Sequence, residues 1–146
     1  MQLLGFNFEK ITANKEKEFS RKSEINTNIE FTEMEEQDSK LISTKKVIKV
    51  SFLFEVKYKN KEKKKKNIEA NLEFQGNLIL SAEKKESKEI IKHWKNKEVP
   101  NSFKIPLFNV ILQRCNVKAL QLEDDLNIPP HVPFPKIAPK PKQEQD

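Results

Sequence analysis

Even-numbered positions from Ile48 to Tyr58 are apolar throughout (Ile48, Val50, Phe52, Phe54, Val56, Tyr58), while the odd positions between them read Lys49, Ser51, Leu53, Glu55 and Lys57. A period of two is the mark of a strand with one face buried. After the polar run from Asn60 to Asn67 the even set resumes with Ile68, Ala70, Leu72 and Phe74, then Gly76, Leu78 and Leu80. Val47 to Leu80 therefore reads as a long antiparallel hairpin. Folding it about Lys63 sets Tyr58 against Ile68, Val56 against Ala70, Phe54 against Leu72 and Phe52 against Phe74, with Lys57 facing Glu69 on the other side. Each matched pair is worth roughly 0.2–1 kcal/mol. A slip of one residue would turn one apolar set outward and is excluded; the pattern leaves slips of two open.

The same alternation, shorter, marks Leu3 to Ile11 as a first strand through Leu4, Phe6 and Phe8, and Ile25 to Met34 as a second through Thr27, Ile29 and Phe31. Between them lies a charged connection, Thr12 to Ser23, with Phe19 as its one aromatic. Glu35 to Ser39 reads as a polar turn and Lys40 to Thr44 as the approach to the hairpin. Past Leu80 the period changes to about 3.6. Ser81 or Ser87 is placed to cap a helix through Trp94, with Ile90, Ile91 and Trp94 on one side and Pro100 downstream. Pro106, tolerated in a first turn, opens a second helix over Leu107 to Leu122. Its stripe is Phe108, Ile111, Leu112, Cys115, Ala119 and Leu122, flanked by Leu107 and Val110, which suits a core-facing helix wide enough to touch a partner as well. Six prolines from Pro129 to Pro141 then exclude a helix or an inner strand. Val132, Phe134 and Ile137 suit a packed extended strip, and residues 140–146 are expected to be disordered.

These elements predict an α+β fold: a four-stranded antiparallel sheet with two C-terminal helices packed on one face, in a single domain over residues 1–139. Four strands about 4.8 Å apart span roughly 19 Å, which two helices of about 10 Å diameter cover. The other face, with Lys49, Ser51, Glu55, Lys57, Glu69, Asn71, Glu73 and Gln75, can meet water. Leu53, Ile79 and Val47 are its apolar exceptions and are candidates for a subunit contact.

The net charge is +6, from 28 Lys and Arg against 22 acidic residues, but Arg occurs only at Arg21 and Arg114. Arg is the residue suited to bidentate phosphate contacts, so the basic balance alone does not make a nucleic-acid reader. High Lys and Glu with many Ile also fits a protein built for high temperature. Lys61 to Lys66 is either a solvated hairpin loop whose like charges discourage edge pairing or a phosphate-contacting finger. No run of apolar residues approaches membrane-spanning length, and Met1 to Ile11 lacks the order of a signal peptide. A soluble cytoplasmic protein is expected. Cys115 has no partner for an internal disulfide and reads as a small core residue.

Catalytic chemistry finds little purchase. His93 and His131 have no spaced Cys, His or Asp around them, so neither a metal site nor a triad is expected. Gly5 and Gly76 both fall in strands, which excludes a glycine-built phosphate loop. Glu123, Asp124 and Asp125 read as a solvated helix end. No enzyme and no cofactor is expected.

The order of elements, with a connection of about a dozen residues between the first two strands and a proline-rich strip after the second helix, resembles the SecB family of protein-export chaperones. The local match is FKIPLFNVILQRCNVKALQLEDDLNIPPHVPFPKI, Phe103 to Ile137, where an aromatic (Phe103) and Pro106 precede a long apolar helix and a proline-containing segment ends in apolar residues. The resemblance implies an ATP-independent holdase, a dimer of dimers, that binds unfolded or nascent polypeptides in apolar grooves and serves export or antitoxin control. Exposed adaptable apolar surface is what such binding requires. Phe19 is the first candidate contact, against the alternative that it tucks onto the sheet edge; Leu53, Phe103, Leu107 and Phe134 follow. The mixed Lys and Glu of the exposed sheet face, in place of an acidic surface, counts against a SecA-type motor as partner. A basic nucleic-acid-binding module is the alternative, and a scaffold for a folded partner a third reading.

Overall fold

The computed structural model describes residues 1–37, 45–65 and 67–140. The expected approach at Lys40 to Thr44, Lys66 of the basic loop and all but Lys140 of the end expected to be disordered, 140–146, lie outside the described residues. Four strands, β1 (Gln2–Lys15), β2 (Glu24–Gln37), β3 (Lys45–Lys59) and β4 (Ile68–Glu83), are followed by α1 (Lys84–Lys95) and α2 (Asn101–Asp125). The strands form one antiparallel sheet in the order β1-β4-β3-β2. Residues 16–23 therefore cross the ends of β4 and β3, over three strand spacings or about 14 Å. Eight residues reach up to about 27 Å when extended, so the connection spans the gap with length to spare, and the topology is a Greek key.

The central hairpin forms two residues away from the mirror-symmetric register. Tyr58 pairs with Ala70, Val56 with Leu72, Phe54 with Phe74 and Phe52 with Gly76, and Lys57 faces Asn71 rather than Glu69. Two local features decide between registers that the alternation cannot separate. A Cβ at position 76 would stand 2.8 Å from Phe52 Cζ and run into the Asn7 carbonyl oxygen, so only glycine lets the Phe52 ring and β1 close over that point. Near the loop, Lys59 pairs with Ile68 but Tyr58 with Ala70, which makes Glu69 the extra residue of a β-bulge. The loop closes with the Asn60 N–H donating to the Asn67 carbonyl at 2.7 Å.

The strands run longer than the alternation suggested because bulges restore the phase where it breaks. On β2, Ile25, Ile29 and Phe31 are odd-numbered and Met34 even; the register shift between Phe31 and Glu33 brings Met34 opposite Val50 on the buried face. On β1, a shift between Phe8 and Lys10 puts Ile11 and Ala13 on the same face as Phe6 and Phe8. A second shift, between Leu3 and Gly5, makes Leu4 the bulge residue, 48% exposed, while Leu3 takes the place opposite Leu80. Glu35 to Gln37, read from the sequence as a turn, continue β2.

Both helices pack on the apolar face. α1 follows β4 directly and has no side-chain cap: Ser81 is still in β4, and Ser87 lies buried within the helix, its hydroxyl donating to Glu36 at 3.2 Å. Ile90 is its main core contribution. α2 starts after Pro100, a turn and a half before the expected bound, and Pro106 sits inside it. The buried series Phe103, Leu107, Ile111, Cys115, Ala119 shows why. Burying Phe103 and Leu107 contributes about 1.5–3 kcal/mol each, which offsets the roughly 3 kcal/mol that an interior proline costs. Across the sheet, Phe108 packs on Phe31 with ring centroids 4.6 Å apart and planes tilted by 40°, and the Arg114 guanidinium lies 5.0 Å over Phe6. Tyr58, Phe52, Phe54 and Phe74 are fully buried between the layers. Burial pushes the Cys115 thiol up to about 12. On the outer face Val47 is buried and Leu53 and Ile79 are half-buried.

Candidate functional site

An open groove follows from the width of the layers. α2 covers the middle of the sheet and leaves the core-facing side of β1, an edge strand, partly bare. Phe6 is protected by Phe52 (5.3 Å between centroids), Phe8 (5.1 Å) and Arg114, whereas Ile11 remains 44% exposed and Leu3 42%. On the helix side Val117 is 58% exposed. Between Phe8 of β1 and this part of α2 lies a groove of about 370 Å³, lined by Phe8, Gln113, Arg114, Val117, Lys118 and Gln121. Its apolar floor, polar rim and open backbone edge suit an extended peptide with alternate apolar side chains. Sequence reading missed Ile11 and Val117; the Val117 position off the buried stripe of α2 was the available signal.

The five side chains singled out from the sequence are not brought together. Phe19 is half-buried, edge-on to Tyr58 at 5.9 Å, with Lys15 Nζ 5.9 Å from its ring. Leu53 lines a shallow depression on the opposite sheet face with Thr32, Gln75 and Gly76. Phe103 and Leu107 are core residues, 5% and 2% exposed. Phe134 stands 54% exposed on the strip after α2, near the fully exposed Ile137.

Two buried carboxylates organise what lies around these surfaces. Glu123 extends the four-residue series of α2 and is 1% exposed, not a solvated helix end. It accepts from the Tyr58 hydroxyl at 2.6 Å and faces His131 Nδ1 at 2.9 Å, while His131 Nε2 lies 2.7 Å from Asn116 Oδ1. The Pro129 carbonyl oxygen lies 2.5 Å from the same hydroxyl, whose single proton is shared between the two acceptors. This network clasps the start of the proline strip, Pro129 to His131, against α2 and sets the His131 ring edge-on to Phe54 at 6.0 Å, whereas from Pro133 on the strip is exposed and the expected packing of Phe134 and Ile137 is not formed. His131, which lacks any partner nearby in sequence, thus acquires three through the fold. Burial, then the Glu123 hydrogen bond and charge, push the Tyr58 hydroxyl far above its ordinary range, so it stays protonated and donating. All three groups are closed off from solvent, and the network serves as a fastening.

Glu69, the bulge residue, has no exposed surface. Its Oε2 accepts from the Ser20 N–H (3.2 Å), the Ser20 hydroxyl (2.9 Å) and the Ser23 hydroxyl (2.6 Å); its Oε1 accepts from Asn60 Nδ2 and Lys63 Nζ, both at 3.1 Å. Burial alone would raise the carboxyl, but the bonds from Ser23, Asn60, Lys63 and Ser20 outweigh it and hold it at about 2. Glu69 thereby ties the crossover at 16–23, which carries Phe19, to the loop at 60–67.

Among the described residues no helix is long and apolar enough to cross a membrane. No protein-family model matches the chain, and no curated protein matches it. Among solved structures, the SecB-like chaperone of Mycobacterium tuberculosis, determined in complex with a ChAD peptide from the HigA1 antitoxin, is similar over 96% of this chain and 91% of that one, with a TM-score of 0.50 and 14% sequence identity. The chain has the SecB-like fold.

Proposed function

With that fold as premise, we propose that this chain is a SecB-type holdase: a cytoplasmic, ATP-independent chaperone that binds unfolded or nascent polypeptides and works as a homo-oligomer, a dimer of dimers. The observation that carries the reading is the groove beside the β1 edge, where Phe8 and Val117 supply the apolar lining of a channel open to an extended chain and Ile11 stands exposed further along the same strand. An exposed edge with apolar flanks is a liability in a protein with no use for it. The peptide-bound state of the mycobacterial protein of the same fold supports the same direction. Two client classes fit, precursors awaiting export and an antitoxin. A SecA-type motor is not part of the proposal, because the outer sheet face mixes Lys49 and Lys57 with Glu55 and Glu73.

Phe134 and, on the second face, Leu53 extend the contact surface; Phe19 contributes its outer edge. Phe103 and Leu107 back α2 from the core and do not touch a client. The test is suppression of aggregation of a chemically unfolded model protein, at low and high salt, with light scattering to size the chain. The proposal expects an oligomer whose suppression persists in high salt and falls several-fold in Val117→Glu and in Ile11→Glu. A strict monomer that suppresses nothing at either salt concentration overturns it.

A further inference from the structure

The two loops that Glu69 ties together hold nearly all of the net charge. Residues 16–23 and 60–67 carry eight basic side chains against three acidic ones, a surplus of five in a chain whose net charge is +6. Two of these cations are already engaged: Lys61 pairs with Glu24 at 2.7 Å and Lys63 with Glu69 at 3.1 Å. Lys17, Arg21, Lys22, Lys64 and Lys65 have no carboxylate within 4.0 Å among the described residues, and all five are exposed.

The cluster is built, not merely accumulated. Ser20 and Ser23 are both bound to Glu69 Oε2, so the two residues between them are held in a tight turn, and Arg21 takes a left-handed conformation with φ 61°. For a residue with a Cβ that conformation costs of order 1 kcal/mol or more and persists only where its surroundings fix it. The hairpin loop is fastened to the same point: Asn60 Nδ2 donates to Ser20 Oγ at 3.1 Å as well as to Glu69, and Lys63 Nζ reaches the Glu18 carbonyl at 3.4 Å. One of the chain's two arginines is thus presented beside a row of lysines on a rigid platform at one end of the sheet.

We infer that this platform binds the phosphate backbone of a double-helical nucleic acid, an activity separate from client holding. A duplex carries one negative charge per about 1.7 Å of axis, so a sheet end about 14 Å wide faces on the order of eight phosphates, enough for five free cations. The platform lacks what other polyanions would use. Phe19 is held edge-on against Tyr58 and cannot stack on an unpaired base. Ile68, 40% exposed, is the one large apolar side chain exposed in these loops or their flanks, too little to anchor in a membrane. Asn60 is buried and its side chain spent on Glu69 and Ser20, which leaves it unable to read a base edge. Binding therefore follows charge and not sequence.

The experiment is fluorescence anisotropy of labelled RNA and DNA duplexes titrated with the full chain between about 50 and 200 mM salt. Both duplexes are expected to bind, and log affinity should fall with log salt at a slope of about −4 to −5, from five phosphate contacts at about 0.9 each. Lys64→Glu with Lys65→Glu, and separately Arg21→Glu with Lys22→Glu, should each weaken binding more than tenfold and flatten the slope by about two, while suppression of aggregation in high salt is unchanged. The first pair lies in an exposed loop and leaves folding intact should the second disturb the Arg21 turn. Absence of binding at low salt, binding indifferent to both reversals, preference for a particular base sequence, or uptake onto anionic vesicles without duplex binding would each overturn the inference.

Discussion

Replacing Glu69 by Gln is the sharpest test of how the crossover is held. The substitution keeps size and one oxygen but sets an NH2 where the other oxygen stood. If the amide replaces Oε1, Asn60 Nδ2 and the Lys63 ammonium both face a donor; if it replaces Oε2, the two serine hydroxyls can rotate to accept, and only the Ser20 N–H is stranded. The second orientation wins. Its cost is one part-buried donor without a protein partner, about 1 kcal/mol, plus the charge assistance lost from the remaining bonds, about 1 kcal/mol or more in total. The sum is about 2 kcal/mol, which for a chain of this length lowers the melting temperature by roughly 4–8 °C. The pH dependence supplies a second signature. Because folding depresses this carboxyl from 4.5 to about 2, its contribution is complete above the unfolded value and is lost as pH falls through the folded one. The gap between wild type and Glu69→Gln, read from urea midpoints, should be constant near neutrality, narrow below about pH 4.5 and close near pH 2. A melting shift under about 2 °C, or a gap that does not change with pH, would refute the account of Glu69 as the tie between the two loops.

Three further outcomes follow from the same geometry. Gly76→Ala should destabilise by about 3 kcal/mol in chemical denaturation, since neither the Asn7 backbone nor the Phe52 ring has space to yield. Tyr58→Phe removes the donor to Glu123 and Pro129, costing about 1–3 kcal/mol, and should make the strip beyond Ile128 the first site cut in limited proteolysis. Cys115, fully buried with its thiol pushed up to about 12, should react with a disulfide reagent at neutral pH only at the rate of unfolding, and rapidly in urea.

The two-layer fold was legible because β3 alternates without a break and α2 repeats its apolar positions every four residues. What escaped the sequence was of two kinds. Period-two patterns are degenerate to shifts of two, so the register turned on single-residue events at Gly76 and Glu69 that alternation does not encode. The change from odd to even between Phe31 and Met34 stands in the sequence, but the simple alternation read over Ile25 to Met34 passed over the bulge that causes it. The surroundings of His131 had no local sign: Glu123 lies 8 residues away, Asn116 15 and Tyr58 on another element. Glu123 itself was readable, since it continues the series from Phe103 through Ala119, and an acid on a buried ladder must find donors. The groove was unreadable in principle, because it arises from how far α2 reaches across the sheet.

The bulges have a consequence beyond strand length. All three on the outer strands, near Leu4, Glu9 and Thr32, interrupt the ladder of an edge, so the unbroken runs are short: Gly5 to Phe8 and Lys10 to Lys15 on β1, Glu24 to Phe31 on β2. A flat continuous edge with apolar flanks would serve as a template for fibril growth. Here an arriving strand meets a kink within six residues on one side and eight on the other. Neither edge of this sheet offers a long, in-register template on which a fibre could grow.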